Sequence, residues 1–124
     1  MKKIIIQLWR TSINEPEFIA TPLLFASTAA AMDVEVEVHI MGEAIHLFVK
    51  GNKVNYKDLP LLNKSSIGLI SDAIRIGVKF YPCSGALRDR ALVPTDLVDG
   101  LGESIGMLTM LERTLSDDVR VFTY

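Results

Sequence analysis

The 124-residue chain carries one cysteine, one tryptophan and two histidines, and each scarcity closes a class of function. A lone thiol, Cys83, excludes an internal disulfide, and it excludes a cysteine-rich zinc site as well. No uninterrupted apolar run reaches the ~18 residues that a membrane helix needs. Neither sign of charge dominates: 13 Lys+Arg stand against 15 Asp+Glu, a formal net charge of −2. A nucleic-acid or anionic-membrane surface would need a concentrated basic footprint instead. Met1-Lys2-Lys3 resembles the start of a secretory signal, but Ile4–Trp9 is too short for its apolar segment and no cleavage pattern follows. The expectation is a soluble, cytoplasmic protein with no nucleic-acid or membrane partner. What is present is apolar material, 49% of residues against 23% charged, with a mean hydropathy of +0.30. That balance excludes disorder and suffices for one core, so a single domain over residues 1–124 is expected.

Lys3-Ile4-Ile5-Ile6-Gln7-Leu8-Trp9 is nearly continuous and β-branched, as in a strand covered on both faces. A short turn at Pro16–Ala20 precedes a helix with Thr21 as N-cap and Pro22 at its first position, running to Met32. Asp33–Ile40 alternates strictly, Val34, Val36, Val38 and Ile40 against Asp33, Glu35, Glu37 and His39. Period two predicts a strand with one wet or lightly covered face, near a sheet edge. Glu43–Lys50 reads as a short helix stopped by Gly51. Asn52–Lys64, with Pro60, reads as a surface loop. Ser65 or Ser66 caps a helix bearing Ile67, Ile70, Ala73 and Ile74 and ending at Gly77. Val78–Pro82 is the third strand and Ala86–Leu92 a short helix. Asp96-Leu97-Val98-Asp99 is a weak fourth strand, Glu103–Leu115 a helix with Ile105, Leu108, Leu111 and Leu115 on one stripe, and Asp118–Phe122 a fifth strand. Strands separated by helices predict an α/β fold, a mainly parallel five-stranded sheet with helices on both faces. In such folds chemistry sits beyond the carboxyl ends of the strands, which selects Arg10–Asn14, Met41–Glu43, Cys83–Gly85 and Gly100–Ser104.

Cys83 lies at the third strand's exit. If Ser84-Gly85 open a helix, the sulfur faces unpaired backbone N–H groups, which favour a thiolate and nucleophilic or persulfide chemistry. The alternative is a free cysteine packed as a small hydrophobe, and both readings stay open. Without Cys-x-x-Cys there is no resolving thiol, so any sulfur exchange would be with another chain. His39 and His46 fit no zinc spacing. His39 is read as solvated on its strand's polar face and His46 as a partly buried helix residue. Gly100-Leu101-Gly102-Glu103-Ser104-Ile105-Gly106 nearly matches a dinucleotide fingerprint, but its third glycine is displaced by one and it follows the wrong strand. A tight turn followed by a helix-packing glycine accounts for it. Glu35, Glu37 and Glu43 read as a solvated face, Lys79, Arg88 and Arg90 either as cations local to Cys83 or as solvated surface charges, and Trp9, Phe80 and Tyr81 as core.

The chain resembles the DsrE/DsrF-like family of small sulfur-relay proteins. The resemblance rests on Phe25–Ile40 with Met41-Gly42-Glu43-Ala44, on Lys50-Gly51, and on Gly77-Val78-Lys79-Phe80-Tyr81-Pro82-Cys83-Ser84. It extends through Leu97-Val98-Asp99-Gly100 to Asp117-Asp118-Val119-Arg120-Val121-Phe122. It implies a three-layer α/β/α sandwich that assembles into homo-oligomers, commonly trimers or hexamers, and needs no cofactor. It implies that Cys83 accepts sulfane sulfur as a persulfide from one protein partner and hands it to another. Ser84, Gly85, Gly42 and Glu43 are the expected site neighbours. The Pro82-Cys83-Ser84-Gly85 context departs from the family pattern and bears on how accessible the sulfur is. The alternative is a non-catalytic oligomeric binding or assembly module of the same fold with an unreactive cysteine.

Overall fold

Lys3–Leu8 forms β1, and its apolar run has the anticipated cause: Ile5, Ile6 and Leu8 are fully buried, with strands on both sides and helices on both faces. The computed structural model describes residues 2–59 and 62–124, so Met1 of the signal-like start and Pro60 of the surface loop lie outside the described residues. β2 (Glu35–Ile40), β3 (Lys79–Pro82) and β4 (Val119–Thr123) complete a wholly parallel sheet in the order β3-β2-β1-β4. The helices are α1 (Ala20–Ala31), α2 (Ser66–Ile76), α3 (Ser84–Asp89) and α4 (Met107–Thr114). None among the described residues is long and apolar enough to cross a membrane.

The two faces are covered unequally. One presents Ile6, Leu8, Val36, Val38, Ile40 and Phe80 to Leu23 and Ala26 of α1 and to Leu69, Ile70 and Ala73 of α2, forming the main core. Fully burying each aliphatic side chain contributes about 1.5–3 kcal/mol. Ser65 caps α2, its Oγ accepting from Gly68 N–H at 3.1 Å, and Gly77 ends it at φ +107°. The opposite face is covered more thinly, by α4, whose one buried residue among those described is Met110, and by Ala86 of α3 and Ile105 packed beside it.

Four expectations need correction. Pro16–Ile19 is a 3-10 turn that runs directly into α1, so Ile19 rather than Thr21 stands at its N-cap; Pro22 falls within the first turn, where an N–H has no intrahelical partner to lose. β2 is interior, between β1 and β3, not near an edge. Its polar face alternates because Glu37 and His39 are paired with other side chains, not because they are wet. Among the described residues the sheet has four strands, not five: Pro94–Asp96 is a 3-10 turn and Leu97 makes one antiparallel bridge to Val49. The segment pairs instead with the chain around Val49, Lys50 N–H donating to Asp96 O and Val98 N–H to Phe48 O, both at 2.8 Å, while the Leu97 side chain is buried.

The predicted helix over Glu103–Leu115 starts only at Met107. The residues before it run beside β3: Gly102 N–H donates to Phe80 O at 2.7 Å and Ile105 N–H to Pro82 O at 2.9 Å. Gly102 permits this approach, since a Cβ there would lie 2.9 Å from both Phe80 O and the Tyr81 ring. Gly102→Ala is therefore expected to cost about 1–3 kcal/mol in a urea unfolding experiment, through overpacking against backbone that cannot retreat.

Candidate functional site

β3 ends at Pro82, and Cys83 follows as the N-cap residue of α3. Its N–H donates to Ile40 O at 2.8 Å, extending the β2–β3 ladder by one step, and its carbonyl accepts from Leu87 N–H at 3.1 Å. The backbone at Cys83 is therefore held from both sides. The thiol is 5% exposed and packs in a small second core with Ala86, Ile105 and Met110, flanked by Met41 and Tyr81. The sulfur accepts no capping hydrogen bond from α3, and Ser84 N–H is already donated to Ile105 O at 2.9 Å. The anticipated fan of free N–H groups around the sulfur is thus partly consumed by the segment preceding α4.

Cys83 forms part of the wall of a cavity of about 520 Å3, with Gln7, Trp9, Met41, Gly42, Gly85, Ala86, Asp89, Arg90 and Met107 around it. Two of the expected neighbours, Gly42 and Gly85, line this cavity. Gly42, at φ +52°, brings its 3-10 turn (Gly42–Phe48) so near the β1 exit that a Cβ would sit 2.9 Å from Trp9 O. Ser84 adjoins the cysteine without lining the cavity. Glu43 does not line it either; its Oε1 accepts from Arg90 Nη2 at 3.0 Å. Arg90 also donates Nη1 to Ala86 O at 3.3 Å, while its Nε is buried without a protein partner. Of the three cations weighed from the sequence, Arg90 alone lines the cavity; Lys79 lies at the opposite end of β3. Trp9, read as core, is 48% exposed, because β1 delivers it past the end of the sheet. Met41 falls within the strand exit Met41–Glu43 that the sequence selects, whereas no local signal marks Gln7 or Met107.

Below Cys83 on the same sheet face lies a polar cluster that the sequence presented as a solvated surface. His39 is fully buried and Glu37 nearly so. The Glu37 carboxylate accepts from Lys3 Nζ, from Arg113 Nη1 at 2.9 Å and from His39 Nε2 at 2.9 Å. Arg113, on α4, also stacks over the Tyr81 ring at 4.5 Å. α4 therefore rests on Met110, which covers Cys83, and on one ionic contact with the sheet. Burial by itself would raise the Glu37 carboxyl, but hydrogen bonds from Lys3, His39 and Arg113 overcome it and lower it to about 2. Burial lowers His39 below the usual imidazole range, against the pull of Glu37. The ring is thus neutral, with its proton on Nε2 and Nδ1 buried without a partner. His46 is half-buried in its 3-10 turn, as expected. Among the described residues no three His, Cys, Asp or Glu side chains converge to hold a metal ion.

A parallel sheet between helical layers, with one cysteine at the exit of a strand and a cavity over it, defines a class of small α/β/α proteins. The family model described as DsrE/DsrF-like matches residues 3–124, and the chain belongs to that family. Three solved structures share the fold. The YchN protein of E. coli is 20% identical with a TM-score of 0.79, each chain covered completely. MTH1491 of Methanobacterium thermoautotrophicum is 16% identical with a TM-score of 0.69, again over the whole of both chains. BT1422 of Bacteroides thetaiotaomicron is 13% identical with a TM-score of 0.67, over 98% of this chain and 95% of its own. No curated protein matches the chain.

Glu37 and His39, the two groups of the polar cluster held below their ordinary values, act on stability in one direction. A folded-state pKa below the unfolded value means that the unfolded chain binds more protons, so stability falls on acidification. For His39 the loss begins below 6.5, and for Glu37 it runs from 4.5 down to about 2. The Glu37 contribution is about 3 kcal/mol. Unfolding free energies measured across that window should fall steeply for the wild type. Glu37→Gln should be less stable at neutral pH and show a visibly shallower acid limb.

Proposed function

We propose that this protein is a small cytoplasmic sulfur-relay protein, carrying sulfane sulfur as a persulfide on Cys83 between protein partners. Membership of the DsrE/DsrF-like family supports a sulfur-relay role in general terms. The observation that carries the finer reading is the placement of the single thiol at the exit of β3, on the wall of a cavity that also holds the Arg90 guanidinium. The Cys83 thiolate attacks the outer sulfur of a donor persulfide, R–S–SH. The donor S–S bond breaks, R–S⁻ leaves, and the new S–S bond forms on Cys83. An acceptor thiolate then repeats the exchange, so no external oxidant, reductant or cofactor enters. The apolar cluster of Ala86, Ile105 and Met110 keeps water from the loaded sulfur, and Arg90 offsets the negative charge as it forms.

The working unit in this reading is the whole of residues 1–124, assembled as a homo-oligomer, a trimer or hexamer. Support comes from α4, whose Met107, Leu108, Leu111 and Leu115 are all exposed. The stripe read from the sequence turns outward at Leu108, Leu111 and Leu115, while Ile105, which precedes the helix, is buried. Exposed apolar residues at helical spacing on one short helix are surface that a second copy would cover. The small size of the chain adds to the gain from covering them.

The alternative, a binding or assembly module with an inert thiol, is favoured by the 5% exposure of Cys83. Intact-mass analysis after incubation with glutathione persulfide separates the two. The relay reading expects the wild type to gain one sulfur atom and Cys83→Ser to gain none. It also expects iodoacetamide to label Cys83 in the native protein. A native protein that neither gains sulfur nor reacts with iodoacetamide is the module.

A further inference from the structure

The strand order turns at β1. The chain leaves it through α1 towards β2 and β3 and returns on its other side as β4. In open parallel sheets the crevice beyond the carboxyl ends at such a reversal is where ligands settle. A cavity of about 680 Å3 occupies this place, walled by the residues after β1, the Glu15–Phe18 turn and the end of β4. Its size falls within the range of about 300–1,000 Å3 found for small-molecule sites. It is separate from the Cys83 cavity, the two sharing only Trp9.

The lining has a definite chemistry. Trp9 and Phe18, 48% and 59% exposed, offer ring surface that packs into no core. Arg10 lies over the Trp9 ring at 5.7 Å, which holds its charge beside the cavity. Among the described residues no carboxylate pairs with Arg10 and no cation pairs with Glu15 or Glu17, although all three line the same space. Thr11, 3% exposed, forms part of the floor. A purely cationic ligand would meet Arg10 and a purely anionic one would meet two carboxylates. A ligand with both charges and a flat apolar body satisfies every group.

We propose that this cavity binds a free aromatic α-amino acid. Arg10 takes its carboxylate, Glu15 and Glu17 its ammonium, and Trp9 and Phe18 its ring. The proposal is independent of Cys83 and survives or fails apart from the sulfur-relay reading. Trp9 is the only tryptophan of the chain, so intrinsic fluorescence reports on the site directly. Titration of the full chain with L-phenylalanine should give a saturable change in Trp9 emission. Phenethylamine, which lacks the carboxylate, and 3-phenylpropionate, which lacks the ammonium, should each bind at least about tenfold more weakly. Arg10→Gln and the double variant Glu15→Gln/Glu17→Gln should weaken L-phenylalanine binding by a similar factor. All three positions are exposed, so urea unfolding should be unchanged and the loss attributable to the site. The proposal is overturned by the absence of a saturable change up to about 10 mM L-phenylalanine. It is equally overturned by a single-charge analogue that binds as tightly, or by binding indifferent to Arg10→Gln.

Discussion

A carboxylate almost without water, Glu37, ties three elements of the molecule together. Lys3 reaches it from β1, His39 from its own strand and Arg113 from α4. Desolvating a carboxylate costs several kcal/mol, and only a full set of donors offsets that. Removing one donor leaves the buried carboxylate with fewer groups to offset its desolvation, and removing Glu37 leaves fully buried His39 without its partner. The mechanical effect of the cluster falls on α4, which among the described residues has a single buried apolar side chain and meets β2 and β3 through Arg113, bonded to Glu37 and stacked on Tyr81. Since that buried side chain, Met110, belongs to the cluster around Cys83, the charge arrangement on the sheet and the shelter of the sulfur are one structure.

Much of the fold could be read from local chemistry. The β-branched run of β1, the Ser65 cap and the Gly77 stop were legible because each is decided within a few residues. What stayed hidden was decided by distant partners. The alternation of Glu37 and His39 is the same whether that face meets water or meets Lys3 and Arg113, and Arg113 lies 76 residues away in the chain. The Leu108, Leu111 and Leu115 stripe has the spacing of a buried helix face, yet only Met110 of α4 is buried. Periodicity reports that a face is apolar, not which surface covers it. The segment before α4 was assigned to the helix because its hydrophobic spacing continued through Ile105, while its backbone was in fact claimed by β3.

The candidate site shows the same division. Cys83, Gly85 and Gly42 line one cavity because each follows a strand, and a parallel sheet fixes where its carboxyl ends gather. Arg90 and Met107 reach the cavity from helical segments whose docking no local signal encodes. Glu43 acts one step removed, holding Arg90 in place. The fold itself recurs at 13–20% identity in proteins from E. coli, Methanobacterium thermoautotrophicum and Bacteroides thetaiotaomicron. A parallel sheet with helices on both faces thus tolerates extensive replacement of its side chains.

The extended stretch that Gly102 admits beside β3 has a consequence for how the molecule meets its own kind. By donating to Phe80 and Pro82, that stretch occupies backbone acceptors along the outer border of the sheet. An open border invites strand-to-strand addition by another chain. One flank is thus partly closed from within, and β4 is left as the side on which an intruding strand could register without first displacing native backbone.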